Sequence, residues 1–172
     1  MDGDRATVLE RAPWVRRHKL NVDGYYRMAE VGLLKPGERV ELIEGEIVDM
    51  APIGSEHAGA TDSLARDMIL RAGNRALTKI QAPLRLSDDS EPEPDLQLVK
   101  PRADKYRKSH PTASDVLLLI EVADSSLRFD RTVKLPLYAR HNIPEVWIVN
   151  LVESVVEIHR DPEGEDWRTT RR

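Results

Sequence analysis

Apolar residues along the first half of the chain alternate between helical and extended spacing. Residues 21–33 have the spacing of a short helix. Residues 39–50 contain two β-prone runs on either side of Glu44 and Gly45, which predicts a hairpin. A longer helical pattern covers residues 57–77. The first half therefore predicts a helix, a hairpin and a second, longer helix.

The second half of the chain contains β-prone segments interrupted by one helical pattern. Residues 115–123 are almost continuous in Val, Leu and Ile, as in a strand buried on both faces, so we expect this strand at the centre of a sheet. The helical pattern at 130–141 contains Pro136, so this helix either starts late or kinks. The other β-prone segments are residues 79–86, 94–100, 145–150 and 154–159.

This order of elements predicts one α/β or α+β domain in which helices flank a mixed β-sheet. A length of 172 residues suits a single domain, and no internal repeat or linker divides it. The first 20 residues are charged throughout, and we interpret them as a loosely held N-terminal arm.

Composition limits the metal ligands, the cellular compartment and the partners that we expect. The chain has no cysteine, so any metal must be held by oxygen or imidazole, and a reducing compartment is consistent with this. It also has no apolar run of a signal peptide or membrane span, so we expect a cytoplasmic protein without membrane contact. A net charge of −4 neither supports nor excludes nucleic acid as a partner, although the basic run 100–108 could face a polyanion.

Two acidic residues stand beside predicted strands. Pro94 favours an extended backbone before Asp95, which places Asp95 at the start of a strand. Glu121 follows five apolar residues, where an ionised carboxylate needs a compensating partner. If these strands are neighbours, two carboxylates meet at one edge of the sheet. Such a pair suits a hard cation such as Mg²⁺ or Mn²⁺.

Lys134 follows Glu121 by thirteen residues and lies on the next predicted helix, from which it could return to the same edge. A lysine there could stabilise the attacking water or the charge on a phosphate. Structural interpretations stay open for all three residues. Asp95 could be a turn residue, and Lys134 could form a solvated pair with Asp130. Glu121 could simply pair with an arginine such as Arg85 or Arg128.

Several ordered motifs together resemble the Uma-two family of restriction-endonuclease-like proteins, within the PD-(D/E)XK nuclease superfamily. The motifs are PD at 94–95, EV at 121–122, DRTVK at 130–134 and LYARHNIPEVWIVN, preceded by VELIEGEIVDM and His57. The resemblance covers residues 40–156. It implies a restriction-endonuclease-like core and a Mg²⁺-dependent (or Mn²⁺-dependent) endonuclease that acts on DNA.

The resemblance also implies roles for individual residues. Asp95 and Glu121 resemble the metal ligands, with the main-chain carbonyl of Val122 as a third. The superfamily pattern places its lysine two residues after the glutamate, where this chain has Ala123. Lys134 therefore resembles the catalytic lysine in a migrated position.

Glu44 and His57 stand where the family carries recurrent polar residues, which implies that they orient water or a phosphate. The chain stops soon after the last predicted strand, so we expect a missing edge element that leaves a surface for a homodimer or a higher oligomer. Two other functions stay open. One is a catalytically inactive nuclease fold that binds nucleic acid or a protein, and the other is a hydrolase of small phosphoesters.

Overall fold

The computed structural model describes Ala12 and residues 14–172. Within this part of the chain, no helix is long and apolar enough to cross a membrane. The helices are α1 (Val22–Glu30), α2 (Ser55–Ala72), α3 (Leu127–Phe129) and α4 (Leu135–Arg140), with a π turn at Asp130–Lys134 between α3 and α4. The strands are β1 (Val40–Ile43), β2 (Glu46–Asp49), β3 (Leu77–Ile80), β4 (Leu96–Val99), β5 (Val116–Ala123), β6 (Glu145–Asn150), β7 (Val155–Glu163) and β8 (Asp166–Arg171).

The strands form a hairpin, β1 and β2, and a six-stranded sheet in the order β3-β4-β5-β6-β7-β8. Only β5 and β6 run parallel, and every other neighbouring pair in the sheet is antiparallel. The sheet is therefore mixed, and the apolar strand β5 lies in its interior. The predicted fold class is confirmed.

The hairpin turn depends on Gly45. Glu44 and Gly45 both have positive φ, at 49° and 78°, as two-residue hairpin turns require. A Cβ on Gly45 would lie only 2.5 Å from the Cβ of Lys19. The adjacent Leu20 donates its N–H to the Gly45 carbonyl at 3.0 Å. The first part of the predicted arm at 1–20 lies outside the described residues, but its end packs closely against this turn.

Alternation along β5 separates two apolar layers. Leu119 and Ala123 face α4 and pack in a cluster with Tyr138. Ile120 faces the other side and packs against Ala65 of α2. Glu121 alternates with Ile120, so it lies on the α4 side of the sheet, among residues that exclude water.

The continuous helical segment that contains Pro136 begins with α3 at Leu127 and passes through the π turn into α4, so it starts earlier than the sequence pattern at 130–141 predicted. Proline has no N–H to continue the helical hydrogen bonds, and the turn just before it is widened. Leu135 donates its N–H to the carbonyl of Asp130, five residues back. The π turn Asp130–Lys134 precedes Pro136, and both Asp130 and Lys134 are buried in it.

The expectation of a missing edge element is wrong. The last residues form strand β8, which pairs with β7 through residues such as Trp167, opposite Pro162. The main-chain ladder holds this strand although its sequence is mostly polar. The indole of Trp167 also donates to the carbonyl of Leu135 at 3.3 Å, which ties the strand to α4.

Candidate active site

An acidic cavity of about 320 Å³ opens between the hairpin, the start of α2, the ends of β4 and β5, and the segment from α3 to the π turn. Two cationic side chains, Arg39 and Lys134, and the imidazole of His57 line it. Acids outnumber these cations. The lining acids are Glu41, Asp49, Glu93, Asp95, Glu121, Asp124 and Asp130.

The structure brings Asp95 and Glu121 together. Leu96 of β4 lies opposite Ile120 of β5, so the next residue pair places Asp95 beside Glu121 at the ends of neighbouring strands. The N–H of Asp95 donates to Oε2 of Glu121 at 3.4 Å. The two carboxylates therefore share one end of the sheet, as the sequence predicted.

Asp95 is held by several donors. Its Oδ2 accepts the N–H of Val122 at 2.9 Å and lies 3.1 Å from Nε2 of His57, and its Oδ1 accepts the side-chain amide of Gln81 at 3.2 Å. Burial raises the pKa of Asp95, but the donors outweigh burial and lower the pKa below its ordinary value. Asp95 is therefore ionised and fixed in orientation at neutral pH.

The surroundings of Glu121 differ from those of Asp95. Its side chain is only 4% exposed, and Tyr138 donates its O–H to Oε1 at 2.5 Å. Burial raises the pKa of Glu121 to about 8, reinforced by the charges of Asp130 and Asp95 and opposed by Lys134 and Tyr138. Burial therefore outweighs the stabilisation that Lys134 and Tyr138 give to the charged form of this carboxylate.

Lys134 lies between two acids. Its Nζ is 3.2 Å from Oε2 of Glu41 and 3.4 Å from Oε1 of Glu121. Burial disfavours the ammonium, but the charges of Glu121, Glu41 and Asp130 outweigh burial and raise the pKa of Lys134. The alternative of a solvated surface pair with Asp130 is wrong, because Lys134 is buried at the carboxylate pair. Glu121 pairs with Lys134, so the alternative that it pairs with Arg85 or Arg128 is also wrong.

Sequence reasoning missed Glu41. This residue is 2% exposed, contacts Lys134, and accepts the N–H of Glu93 at 3.1 Å. All four residues of β1, Val40–Ile43, are buried. An acid inside the apolar run VELI was the available signal, since a buried carboxylate requires a partner.

His57 and Glu44 have different positions. His57, in the first turn of α2, contacts Asp95, and this hydrogen bond raises the pKa of its imidazole despite the opposing effect of burial. Glu44 lies at the hairpin turn beyond the end of β1 and accepts a hydrogen bond from Arg140 at 2.5 Å. The structure therefore places His57 in the cavity and Glu44 outside it.

The donor set suits one class of metal ion. Among the residues described, no three His, Asp or Glu side chains converge tightly enough to hold a metal by themselves. Mg²⁺ needs fewer protein ligands, because it keeps several waters and takes one or two carboxylates. Asp95 and Glu121, with the main-chain carbonyl of Val122, could hold such an ion. The residues present therefore fit Mg²⁺ or Mn²⁺ better than a metal that needs a full side-chain cage.

A mixed sheet with paired acids at the ends of two adjacent strands and a lysine from the next helix is the arrangement of a nuclease-like α/β fold. The chain belongs to the Uma2 family, described as "Putative restriction endonuclease", whose sequence profile matches residues 22–172. This membership supports a nuclease function in general.

A solved structure from Anabaena variabilis, described as a "putative nuclease belonging to DUF820", shares the fold. The two chains superpose with a TM-score of 0.63 at 14% sequence identity, over 88% of this chain and 83% of that one. At this identity the likeness extends to the fold alone. No curated protein matches this chain in sequence.

Proposed function

We propose that this protein is a Mg²⁺-dependent or Mn²⁺-dependent endonuclease that hydrolyses DNA phosphodiester bonds in the acidic cavity. The observation that carries this proposal is the buried cluster of Asp95, Glu121 and Lys134, with the ammonium 3.4 Å from Glu121. An excess of buried acid is costly to folding. Its placement in an open cavity favours a role in cation binding over a role in stability.

Asp95, Glu121 and the carbonyl of Val122 would hold the metal ion. A divalent cation bound there would neutralise charge on the phosphate and make water easier to deprotonate. Asp95 is oriented for this role by Val122 and His57. Tyr138 orients Glu121 by donating a hydrogen bond to its Oε1.

Lys134 supplies a permanent positive charge beside the cluster. Its charge is maintained by Glu41 and Glu121, so it can donate hydrogen bonds to a phosphate oxygen as negative charge develops in the transition state. Lys134 is the last residue of the π turn and is buried there, directly before α4. Glu41 is a positioning residue that keeps the ammonium beside Glu121.

The test is metal-dependent cleavage of supercoiled plasmid and of single-stranded circular DNA by the wild type, Asp95→Asn and Lys134→Met. We expect each substitution to lower turnover by at least about 100-fold, since positioned charges in an active site contribute this much. Arg168→Met, in an exposed pair with Glu163 outside the cavity lining, is the control and should cleave at the wild-type rate. Thermal melts establish that each variant is folded.

The other outcomes separate the remaining functions. Cleavage at the wild-type rate by folded Lys134→Met would remove the lysine from the mechanism. No cleavage of either DNA by the wild type, combined with DNA binding, would support the inactive binding module. Hydrolysis of a small nitrophenyl phosphodiester without cleavage of either DNA would support the small-phosphoester hydrolase.

A further inference from the structure

A second cavity adjoins the acidic cavity and has a different lining. It measures about 420 Å³ and lies between α1 and the segment that contains His110. We call it the tyrosine cavity, after Tyr25 and Tyr26 in its wall. Glu93 lines both cavities, so this residue lies between the two spaces.

Aromatic rings in the tyrosine cavity are held in place by their polar ends. The O–H of Tyr26 donates to Glu91 at 2.5 Å, and the O–H of Tyr25 donates to the carbonyl of Val40 at 3.0 Å. Tyr26 is 39% exposed as a residue, and its ring lies nearly parallel to that of His110, with 6.3 Å between centroids. Exposed aromatic faces of this kind bind flat rings such as nucleobases.

Glu93 is the polar group at the junction. Its side chain is half-buried, and within residues 14–172 its carboxylate neither accepts a hydrogen bond nor forms an ion pair. Its neighbour Glu91 already accepts from Tyr26. A carboxylate only accepts hydrogen bonds, so a ligand in this cavity would complement Glu93 by presenting an N–H donor.

The acidic cavity also limits how many phosphates it can contact. Arg39 and Lys134 are its cationic side chains among the residues described, and Lys134 already lies between two acids. Duplex DNA is bound by neutralising several phosphates on two strands. So few cations suit a single strand that enters the cavity with one phosphate at a time.

We propose that the tyrosine cavity binds an unpaired nucleobase next to the scissile phosphate, with the ring against Tyr26 and His110 and an amino group donating to Glu93. The substrate is therefore single-stranded, because a base inside a duplex is stacked on its neighbours and has no free face to lie against Tyr26 and His110. Cytosine offers such a donor at N4, whereas thymine presents a carbonyl oxygen at the same position. This inference rests on the proposed nuclease function and specifies its substrate class.

The test uses fluorescently labelled oligo(dC) and oligo(dT) of about eight nucleotides, a length suited to single-strand sites. Anisotropy titrations use Ca²⁺ in place of Mg²⁺, and gels check that the oligonucleotides stay intact. We expect the wild type to bind oligo(dC) about tenfold more tightly than oligo(dT), as one charge-assisted hydrogen bond allows. A duplex of the same length should bind more weakly than oligo(dC).

Two variants probe the two parts of the cavity. Glu93→Gln should abolish the preference for oligo(dC), because an amide both donates and accepts. His110→Ala should weaken binding of both oligonucleotides equally, because it removes a ring and no base-reading group. Thermal melts of both variants check the fold. Equal affinity of the wild type for oligo(dC) and oligo(dT), or an unchanged preference in Glu93→Gln, would overturn the proposal.

Failure of this inference is distinguishable from failure of the nuclease function. Discrimination between the oligonucleotides without Mg²⁺-dependent cleavage of either would support the base site and contradict the nuclease. Cleavage without discrimination would support the nuclease and contradict the base site.

Discussion

Two buried glutamates on the same side of the sheet have opposite surroundings. Glu121 on β5 and Glu157 on β7 are each only 3% exposed. Glu157 accepts two hydrogen bonds from the guanidinium of Arg131 and one from Asn150 at 3.2 Å, and Arg172 lies 3.6 Å away. Glu121 has the hydroxyl of Tyr138 and one lysine that it shares with another acid.

The partners of the carboxyl group outweigh the effect of burial on its pKa at Glu157 but not at Glu121. Burial raises the pKa of both carboxyls, but Arg131 and Asn150 outweigh it at Glu157 and lower the pKa there. At Glu121 burial prevails and the pKa rises to about 8. A buried acid that the fold has neutralised is a structural group, whereas one left short of positive charge is a candidate to bind a cation.

The largest difference between the two glutamates should appear in metal-dependent cleavage. Glu121→Gln keeps the shape of the side chain and an acceptor for Tyr138 but removes the charge that we propose binds metal. We expect metal-dependent cleavage to fall by at least about 100-fold, because metal-ion catalysis contributes several kcal/mol. Cleavage rates per folded molecule provide the measurement. Retained cleavage would place Glu121 with Glu157 as a structural acid.

For the free energy of unfolding, in contrast, we expect the larger effect at Glu157. Glu157→Gln loses its charged hydrogen bonds to Arg131, and we expect a loss of about 2 kcal/mol in the free energy of unfolding. Urea denaturation measures this, and the folded protein should cleave at the wild-type rate. Glu163→Gln breaks an exposed pair with Arg168 and provides the matched control with little loss. An unchanged unfolding free energy in Glu157→Gln would contradict the structural role of this acid.

Acid should destabilise the region around Glu157 through His159. Burial lowers the pKa of His159, with the charges of Arg131 and Arg172 adding to this and Glu157 opposing it. The unfolded chain therefore takes up a proton at His159 more readily, so the contribution of His159 to stability falls as pH drops through about 6.5. His159→Gln should reduce this fall, which denaturation midpoints between about pH 7.5 and 5.5 measure. An identical pH dependence in the variant would contradict the account.

We expect the smallest effect on stability and cleavage from a substitution at Glu44. Its pair with Arg140 is exposed, with about 45% of each side chain open to solvent. We expect Glu44→Gln to change the free energy of unfolding by well under about 1 kcal/mol and to leave cleavage unchanged. A large loss of cleavage would return Glu44 to the site that the family resemblance implied.

Local patterns predicted the parts of the fold that depend on local sequence. The hairpin follows from turn chemistry at Glu44 and Gly45, and the interior position of β5 follows from its continuous apolar run. Strand β8 was missed because DWRTTR is a mostly polar edge segment without alternating apolar residues, held by main-chain pairing to β7.

The site was predicted where sequence order specifies strand ends, as at Asp95 and Glu121. It was not predicted where contacts are distant in sequence. The run VELIEGE contains three acids, and their spacing does not reveal that Glu41 meets Lys134 while Glu44 meets Arg140. The predicted homodimer and cytoplasmic location stay predictions.

The central claim is that the acid excess around Asp95 and Glu121 binds a divalent cation. Electron paramagnetic resonance of Mn²⁺, titrated with protein, measures this binding without any substrate. We predict specific binding by the wild type and by the control Glu163→Gln, and its loss in Asp95→Asn. Equal binding of Mn²⁺ by the wild type and Asp95→Asn would contradict the account.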